Sequence, residues 1–306
     1  MMKSGKVARA TGDTEDMQSK PKVRLEARSK WEVIGSVATG AIHLRKEQPC
    51  QDALHTLVTE NYAIACVADG HGSSACPHSD DGSKAAVKIA AELLATMLEQ
   101  MDAATISAQK EIWLPKQIES KWKEAVKAIH AEAGRDDTLD PFPYILYGTT
   151  LLALAATESF VFALQIGDGD ILMVDRDGVA RPLLPTEEKV GEDTESLCLA
   201  DAWKYVRTQI VHLEPERNRA TPKESVSPEA ELLKNPSDGA PMFLLSTDGY
   251  ANSFADSSGF LKAGADFLRL WQEEGSSYIN ENLAEWLRIS SDKGSGDDIS
   301  LALVCW

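Results

Sequence analysis

Basic residues are scarce in this 306-residue chain: 31 Lys and Arg stand against 48 Asp and Glu, a formal net charge of −17. Nucleic-acid and anionic-membrane surfaces need an excess of cations, so the balance argues against both as partners. Long apolar runs are missing as well. No stretch approaches the roughly 18–20 residues that a bilayer-spanning helix needs, and the polar start lacks a signal-peptide core, so the expected location is cytoplasmic. Cysteine is sparse: Cys50, Cys66, Cys76, Cys198 and Cys305 are odd in number and scattered. They read as reduced core thiols, which excludes a disulfide framework. Cys76-Pro77-His78 resembles half of a zinc site, but no second pair lies at finger-like spacing.

What the chain does contain is enough apolar material for a large core: 43% of its residues are hydrophobic and 26% charged, which suits one large domain or two small ones. Residues 1–29 mix Lys, Arg, Ser, Gly and acids without apolar periodicity and read as a flexible, polar and locally basic arm. A domain is expected over 30–306. Trp31 to Val37 is β-like, and Tyr62 to Ala68 is apolar throughout, the pattern of a strand covered on both faces. Apolar positions at helical spacing run from Gly82 to Met101 and from about Ile106 to Ala133, the second with a break or kink at Pro115. Strands follow at Thr149–Ala156, Phe160–Gly167 and Ile171–Asp175. A polar connection of about 185–241 is long enough to be either a flap over a site or partly disordered. Strand Met242–Thr247, helices near Phe260–Gln272 and Tyr278–Ser290, and strand Ile299–Cys305 close the chain. The order is no βαβ alternation. It predicts an α+β fold of two antiparallel sheets packed face to face with helices outside.

Four short blocks set aspartate beside glycine or a second acid: Val67-Ala68-Asp69-Gly70-His71-Gly72, Gly167-Asp168-Gly169-Asp170, Ser246-Thr247-Asp248-Gly249 and Gly296-Asp297-Asp298-Ile299. One Asp-Gly pair is more often a turn than a ligand. Several at the ends of apolar strands are harder to read that way, because rigid strand ends can hold carboxylates together. Carboxylates are the hard donors that Mg2+ and Mn2+ prefer, and glycine lets a carbonyl or a water approach. Two such ions about 4 Å apart can activate a water and clamp a phosphoryl group. Spacing alone thus supports a carboxylate-based two-metal hydrolase.

Together with Gln51-Asp52, Gly148-Thr149-Thr150 and Ile166-Gly167-Asp168, these blocks form an ordered series that resembles the metal-dependent type 2C serine/threonine protein phosphatases. The likeness runs from Trp31 to Trp306. Pro49-Cys50-Gln51-Asp52-Ala53 and Gly191-Glu192 resemble a bacterial subgroup most closely. The resemblance implies a four-layer α-β-β-α sandwich that binds two Mn2+ or Mg2+ ions, with a third held weakly. It also implies attack of a metal-bridging water on phosphoserine or phosphothreonine in a protein substrate. By position, Asp69 would bridge the two metals and the Gly70 carbonyl would hold one of them. Asp248 and Asp297 would complete the other, Asp52 would orient a metal-bound water, and Asp168 with Asn252 would lie near the third metal. His71 would be the general acid, or merely a hydrogen-bonded turn residue; His43 has no role in the family and reads as structural.

Three positions depart from the pattern. Gln51 stands where many relatives have a metal-reaching glutamate, Glu47 where they often have a phosphate-binding arginine, and Asn252 where an aspartate would help hold the third metal. Only Arg45 and Lys46 are near enough in sequence to replace the arginine. The leading expectation is a monomeric, signalling protein phosphatase with a phosphoprotein substrate and a partner kinase. The alternative from another class is a phosphatase-like fold that binds or regulates with little catalysis, and a nuclease or small-molecule phosphohydrolase is a third.

Overall fold

The computed structural model describes residues 30–135, 140–184, 195–213 and 242–306. The expected arm at 1–29, Gly191-Glu192, and most of the connection, 185–194 and 214–241, lie outside the described residues.

Among the described residues, ten strands form two antiparallel five-stranded sheets. Strands β1 (Glu32–Ala38), β10 (Ile299–Cys305), β9 (Met242–Ser246), β6 (Asp170–Val174) and β7 (Ala180–Pro182) make the first, in that spatial order. Strands β2 (Ala53–Val58), β3 (Tyr62–Ala68), β4 (Leu151–Thr157), β5 (Phe160–Ile166) and β8 (Arg207–His212) make the second. Helices α2 (Ser79–Gln100), α3 (Ala103–Gln109) and α4 (Trp113–Glu132) cover the second sheet. The long helix α6 (Ser257–Lys293) covers the first. Two short helices, α1 (Ala41–Lys46) and α5 (Asp248–Ala251), belong to the loops between strands.

The apolar strands are explained by what covers them. In β3, Ala63, Ala65 and Val67 face the space between the sheets, where they join Leu152, Leu154, Phe243, Leu245, Ala302 and Val304. Their neighbours Tyr62, Ile64, Cys66 and Ala68 turn to the helical side and pack with Ala86, Leu94, Ile118 and Trp122. With period-2 alternation and both faces buried, every position must be apolar. Apart from Ser246 and Ser300 at their functional ends, β9 and β10 obey the same rule, sending Leu244 and Leu303 towards Phe267, Ile279 and Leu287 of α6. The four layers are therefore helix, sheet, sheet, helix, as the resemblance implies.

Several elements differ from the sequence reading. The expected helix over 106–133 is two helices: the chain breaks at 110–112, and Pro115 sits in the first turn of α4, where its missing N–H has no partner to lose. The two helices expected near Phe260–Gln272 and Tyr278–Ser290, by contrast, are present: they are the two halves of α6, broken at Gly275 with φ +83°. Strands β2, β7 and β8 were not foreseen. All three are sheet edges; β2 and β8 have mixed sequences, Ala-Leu-His-Thr-Leu-Val and Arg-Thr-Gln-Ile-Val-His, and incomplete cover leaves a weak hydrophobic signal. Strand β8 lies inside the long connection, so residues 207–212 of that span are built into the second sheet. Among the described residues no helix is long and apolar enough to cross a membrane.

Phe243 is fully buried between the sheets and lies 6.2 Å, ring to ring, from Trp31. Replacing it with alanine should destabilise the fold by about 3–5 kcal/mol, through lost burial and the cavity left behind. Urea denaturation checks this; a loss under about 1 kcal/mol would mean that the inter-sheet layer collapses to refill the space.

Candidate metal centre and active site

Strand register carries the aspartate blocks to one end of the sandwich. Ala53 pairs with Ala68, so Asp52 before β2 and Asp69 after β3 leave the second sheet side by side. Leu151 pairs with Ile166, which brings the chain beyond β5 to the same end. There it crosses to the first sheet through Gly167-Asp168-Gly169, and both glycines have φ +90°. A side chain is strained in that region, so the crossing requires glycine on each side of Asp168. In the first sheet Asp170 and Leu301 both pair with Ser246, placing Asp248 beyond β9 and Asp297 ahead of β10 at this same end. Gly249 permits the last approach: a Cβ there would fall 2.1 Å from the Asp298 carbonyl oxygen.

The neutral residues of the motifs hold the acids in place. The Thr150 hydroxyl accepts the Asp69 N–H at 3.0 Å, while the Thr149 hydroxyl and the Thr150 N–H each donate to the Asp69 carbonyl at 2.9 Å. The Thr247 hydroxyl donates to Asp52 Oδ2 at 2.7 Å and accepts the Ser300 N–H at 2.9 Å. Gln51 is fixed through its backbone: its carbonyl accepts from the Gly70 N–H at 3.1 Å and from the Ser83 hydroxyl at 2.5 Å.

Asp298, which the sequence reading left without a role, is the most heavily used of these acids. Its buried carboxylate accepts the Gly40 N–H at 2.6 Å and the Gln51 N–H at 2.6 Å, and its Oδ2 lies 2.8 Å from Nδ1 of His43. His43 is thus structural, as expected, and it acts through Asp298. The only sequence signal for Asp298 was its place beside Asp297.

One oxygen each of Asp69, Asp168 and Asp248 comes within 4.8 Å of the others. Asp168, expected near a third metal, stands with the other two. Asp297 is not part of that trio; its Oδ1 accepts the Asp298 N–H at 2.9 Å, although its charge is felt by Asp69 and Asp248. Asn252 Nδ2 donates to Asp248 Oδ2 at 3.0 Å, so the amide supports the carboxylate that a second acid would repel. Glu47 ends α1 with φ +54°, and Arg45, Lys46 and Glu47 are all exposed. His71 is partly buried, and its N–H donates to the Gly148 carbonyl at 3.0 Å.

The acids repel one another. Burial, then the charges of Asp52, Asp248, Asp297 and Asp168, hold the Asp69 carboxyl well above the ordinary range. Burial, then Asp168 and Asp297, raise Asp248. Burial, with the charge of Asp298 adding to it against the Thr247 hydrogen bond, pushes Asp52 up to about 8. Burial lowers His71, with Asp168 opposing it, so the imidazole is neutral near pH 7. The second oxygen of Asp52 is buried without a hydrogen bond. Crowded carboxylates with a spare buried oxygen suit hard divalent cations, whose charge removes the repulsion that desolvation has magnified.

A family model described as Protein phosphatase 2C matches residues 39–288. Among solved structures, PppA of Pseudomonas aeruginosa, described as a key regulatory component of T6SS, aligns with a TM-score of 0.53 at 17% identity, covering 91% of this chain and 98% of that one. The serine/threonine phosphatase of S. agalactiae gives 0.52 at 17% identity, over 90% and 99% of the two chains. The catalytic domain of the phosphatase PstP, solved with two manganese ions, gives 0.50 at 14% identity, over 90% and 97%. At such identities these structures share the fold. No curated protein matches the sequence.

Two outcomes follow from this geometry. Asp298→Ala strands three donors and should cost about 3–5 kcal/mol, the scale for removing one partner of a buried charged pair. Hydrogen exchange should quicken at Gly40 and Gln51; unchanged stability would mean that water replaces the carboxylate. Asp69→Asn in the presence of chelator should raise stability by about 1 kcal/mol, the equivalent of less than one pKa unit of relieved repulsion. Added Mn2+ should raise the melting temperature of the parent protein and leave that of the variant unmoved. A destabilised variant in chelator would contradict the charge-crowding account.

Proposed function

The chain belongs to the protein phosphatase 2C family, and we propose that it hydrolyses phosphoserine and phosphothreonine in proteins with Mn2+ or Mg2+ as cofactor. The observation that carries this reading is the meeting of Asp69, Asp168 and Asp248 within 4.8 Å at the sandwich end where Asp52, His71 and Asp297 also emerge. Asp69, Asp248 and Asp168, with the Gly70 carbonyl, would hold the ions, and Asp297 and Gln51 would complete the set. Bound there, the ions would lower the pKa of a water and offset the charge of the phosphoryl oxygens.

The remaining work falls to the chain's own groups. Asp52, with one oxygen spent on Thr247 and one spare, is suited to orient the attacking water. The Thr149-Thr150 pair fixes the Asp69 backbone, so its carboxylate would keep its place as charge shifts during reaction. His71 would give a proton to the departing serine or threonine oxygen. Because its ring is neutral in the free protein, it must take up that proton together with the phosphorylated substrate.

Hydrolysis of a phosphothreonine peptide, with and without Mn2+, tests this reading. Phosphate release should depend on Mn2+ and fall by about a hundred- to a thousandfold in Asp248→Asn, the loss expected when charge stabilisation at the transition state is removed. His71→Ala should lower turnover of the peptide more than turnover of an aryl phosphate, whose leaving group needs no proton. Tight binding of the peptide with no release at saturating Mn2+ would favour a phosphatase-like binding module instead.

A further inference from the structure

On the outer face of the α4 layer, cations and aromatic rings are interleaved. Lys116 Nζ stands 4.3 Å from the centre of the Trp203 ring. Lys123 lies 5.2 Å from that of Tyr144, and Lys127 lies 5.5 Å from Tyr144 and 5.6 Å from Phe142. These lysines are seven and four residues apart, so they follow one face of the helix over about 16 Å. An extended peptide of about five residues spans that length. Lys123 is neutralised by Glu119, whose second oxygen accepts the Trp203 N–H at 2.9 Å. Lys116 and Lys127 are exposed and have no carboxylate partner among the described residues. On a chain with net charge −17, two such lysines on one helix face are a local reversal of sign.

This face is joined to the candidate active site by short bonded segments. The turn Tyr144–Tyr147 leads directly into Gly148, whose carbonyl accepts the His71 N–H. The next residue, Thr149, receives the Ser196 hydroxyl and the Leu197 N–H at its carbonyl, each at 3.0 Å. Two residues further on, the Leu199 carbonyl accepts from Lys123 Nζ at 3.2 Å. Ile145, Leu199 and Tyr205 are exposed along these segments. Gly148 and Thr149 are themselves buried, so a polypeptide whose phosphorylated residue sits by His71 would reach α4 over the exposed Ile145 and Leu199.

We propose that this face of α4, with the Tyr144–Tyr147 turn and residues 199–205, docks an acidic stretch flanking the phosphorylated residue of the substrate. The proposal rests on the phosphatase reading and adds a substrate class to it. Carboxylates of the flank would pair with Lys116 and Lys127, and its apolar side chains would lie on Ile145, Leu199 and Tyr205. Charges at an interface rim mainly set encounter and partner choice, so the surface would select substrates without altering the chemical step.

The test uses two labelled phosphothreonine peptides of equal length, one with an acidic flank and one neutral. Binding is read by fluorescence anisotropy and turnover by phosphate release with Mn2+. Lys116→Glu/Lys127→Glu should weaken binding and raise KM about tenfold for the acidic peptide. It should leave kcat, the neutral peptide and p-nitrophenyl phosphate unchanged, and flatten the dependence of binding on salt. The control Lys262→Glu/Arg269→Glu makes the same change of net charge on α6, the opposite layer. Equal loss in both variants, or equal affinity of the parent protein for the two peptides, would overturn the proposal. Absence of all phosphate release would refute the phosphatase reading, while the anisotropy series would still decide the docking surface.

Discussion

The Asp298 carboxylate is what keeps the two sheets in a fixed relation at the functional end. Chain from the first sheet enters the second through residues 39–52, a segment of one short helix and little regular pairing. Gly40 N–H at its start and Gln51 N–H at its end both reach Asp298, just ahead of β10. In a site excluded from water such charge-assisted bonds are strong, and the alternative of unpaired buried N–H groups is costly. Asp52 inherits its position from this anchoring, because it is the residue after Gln51, and its carboxylate accepts from the Thr247 hydroxyl.

Around that anchor the protein maintains an arrangement that opposes its own stability. Carboxylates from five separate strand ends are crowded and partly desolvated, and Asp52, Asp69 and Asp248 are all pushed towards the neutral form. Flexible loops would relieve such repulsion by moving apart. Here Asp69, Asp168, Asp248 and Asp297 extend from strands buried on both faces, β3, β5, β9 and β10, whose packing cannot shift without loss elsewhere. The core thus holds the acids together, in an arrangement whose repulsion a bound divalent cation would relieve. Asn252 fits this picture: at a position where a further acid would add repulsion, its amide donates to Asp248.

Both helical layers reach the functional end. Helix α6 closes the first sheet with Phe260, Phe267 and Trp286, against which Tyr250 of α5 packs, and its Ser291 hydroxyl donates to the Asp297 carbonyl at 2.8 Å. The α2–α4 layer is coupled to the site: the Trp122 indole donates to the Gly82 carbonyl at 2.9 Å, and Gly82 belongs to the first turns of the helix that begins just beyond His71. A surface on α4 is thereby held in fixed relation to His71. That rigidity is what a docking face needs if it is to guide a substrate and leave the chemistry alone.

The sequence by itself determined the strands that two layers cover and the order of the acidic blocks. Apolar runs such as Tyr62–Ala68 and Phe160–Leu164 are hard to accommodate anywhere but in a covered strand, and Asp-Gly at the ends of such strands is a local signal. It also foretold the four layers, through the resemblance those blocks carry. Edge strands β2 and β8 escaped because a half-solvated strand needs few apolar residues, and the α3–α4 break because helical spacing continues across it. Which carboxylates meet was a matter of register: Asp168 joined Asp69 and Asp248 because β5 and β6 cross between sheets at two left-handed glycines. The role of Asp298 was equally beyond reach, since its partners Gly40 and Gln51 lie about 250 residues away in sequence. Local chemistry is written in neighbouring residues; the meeting of distant ones is decided only when the sheets pack.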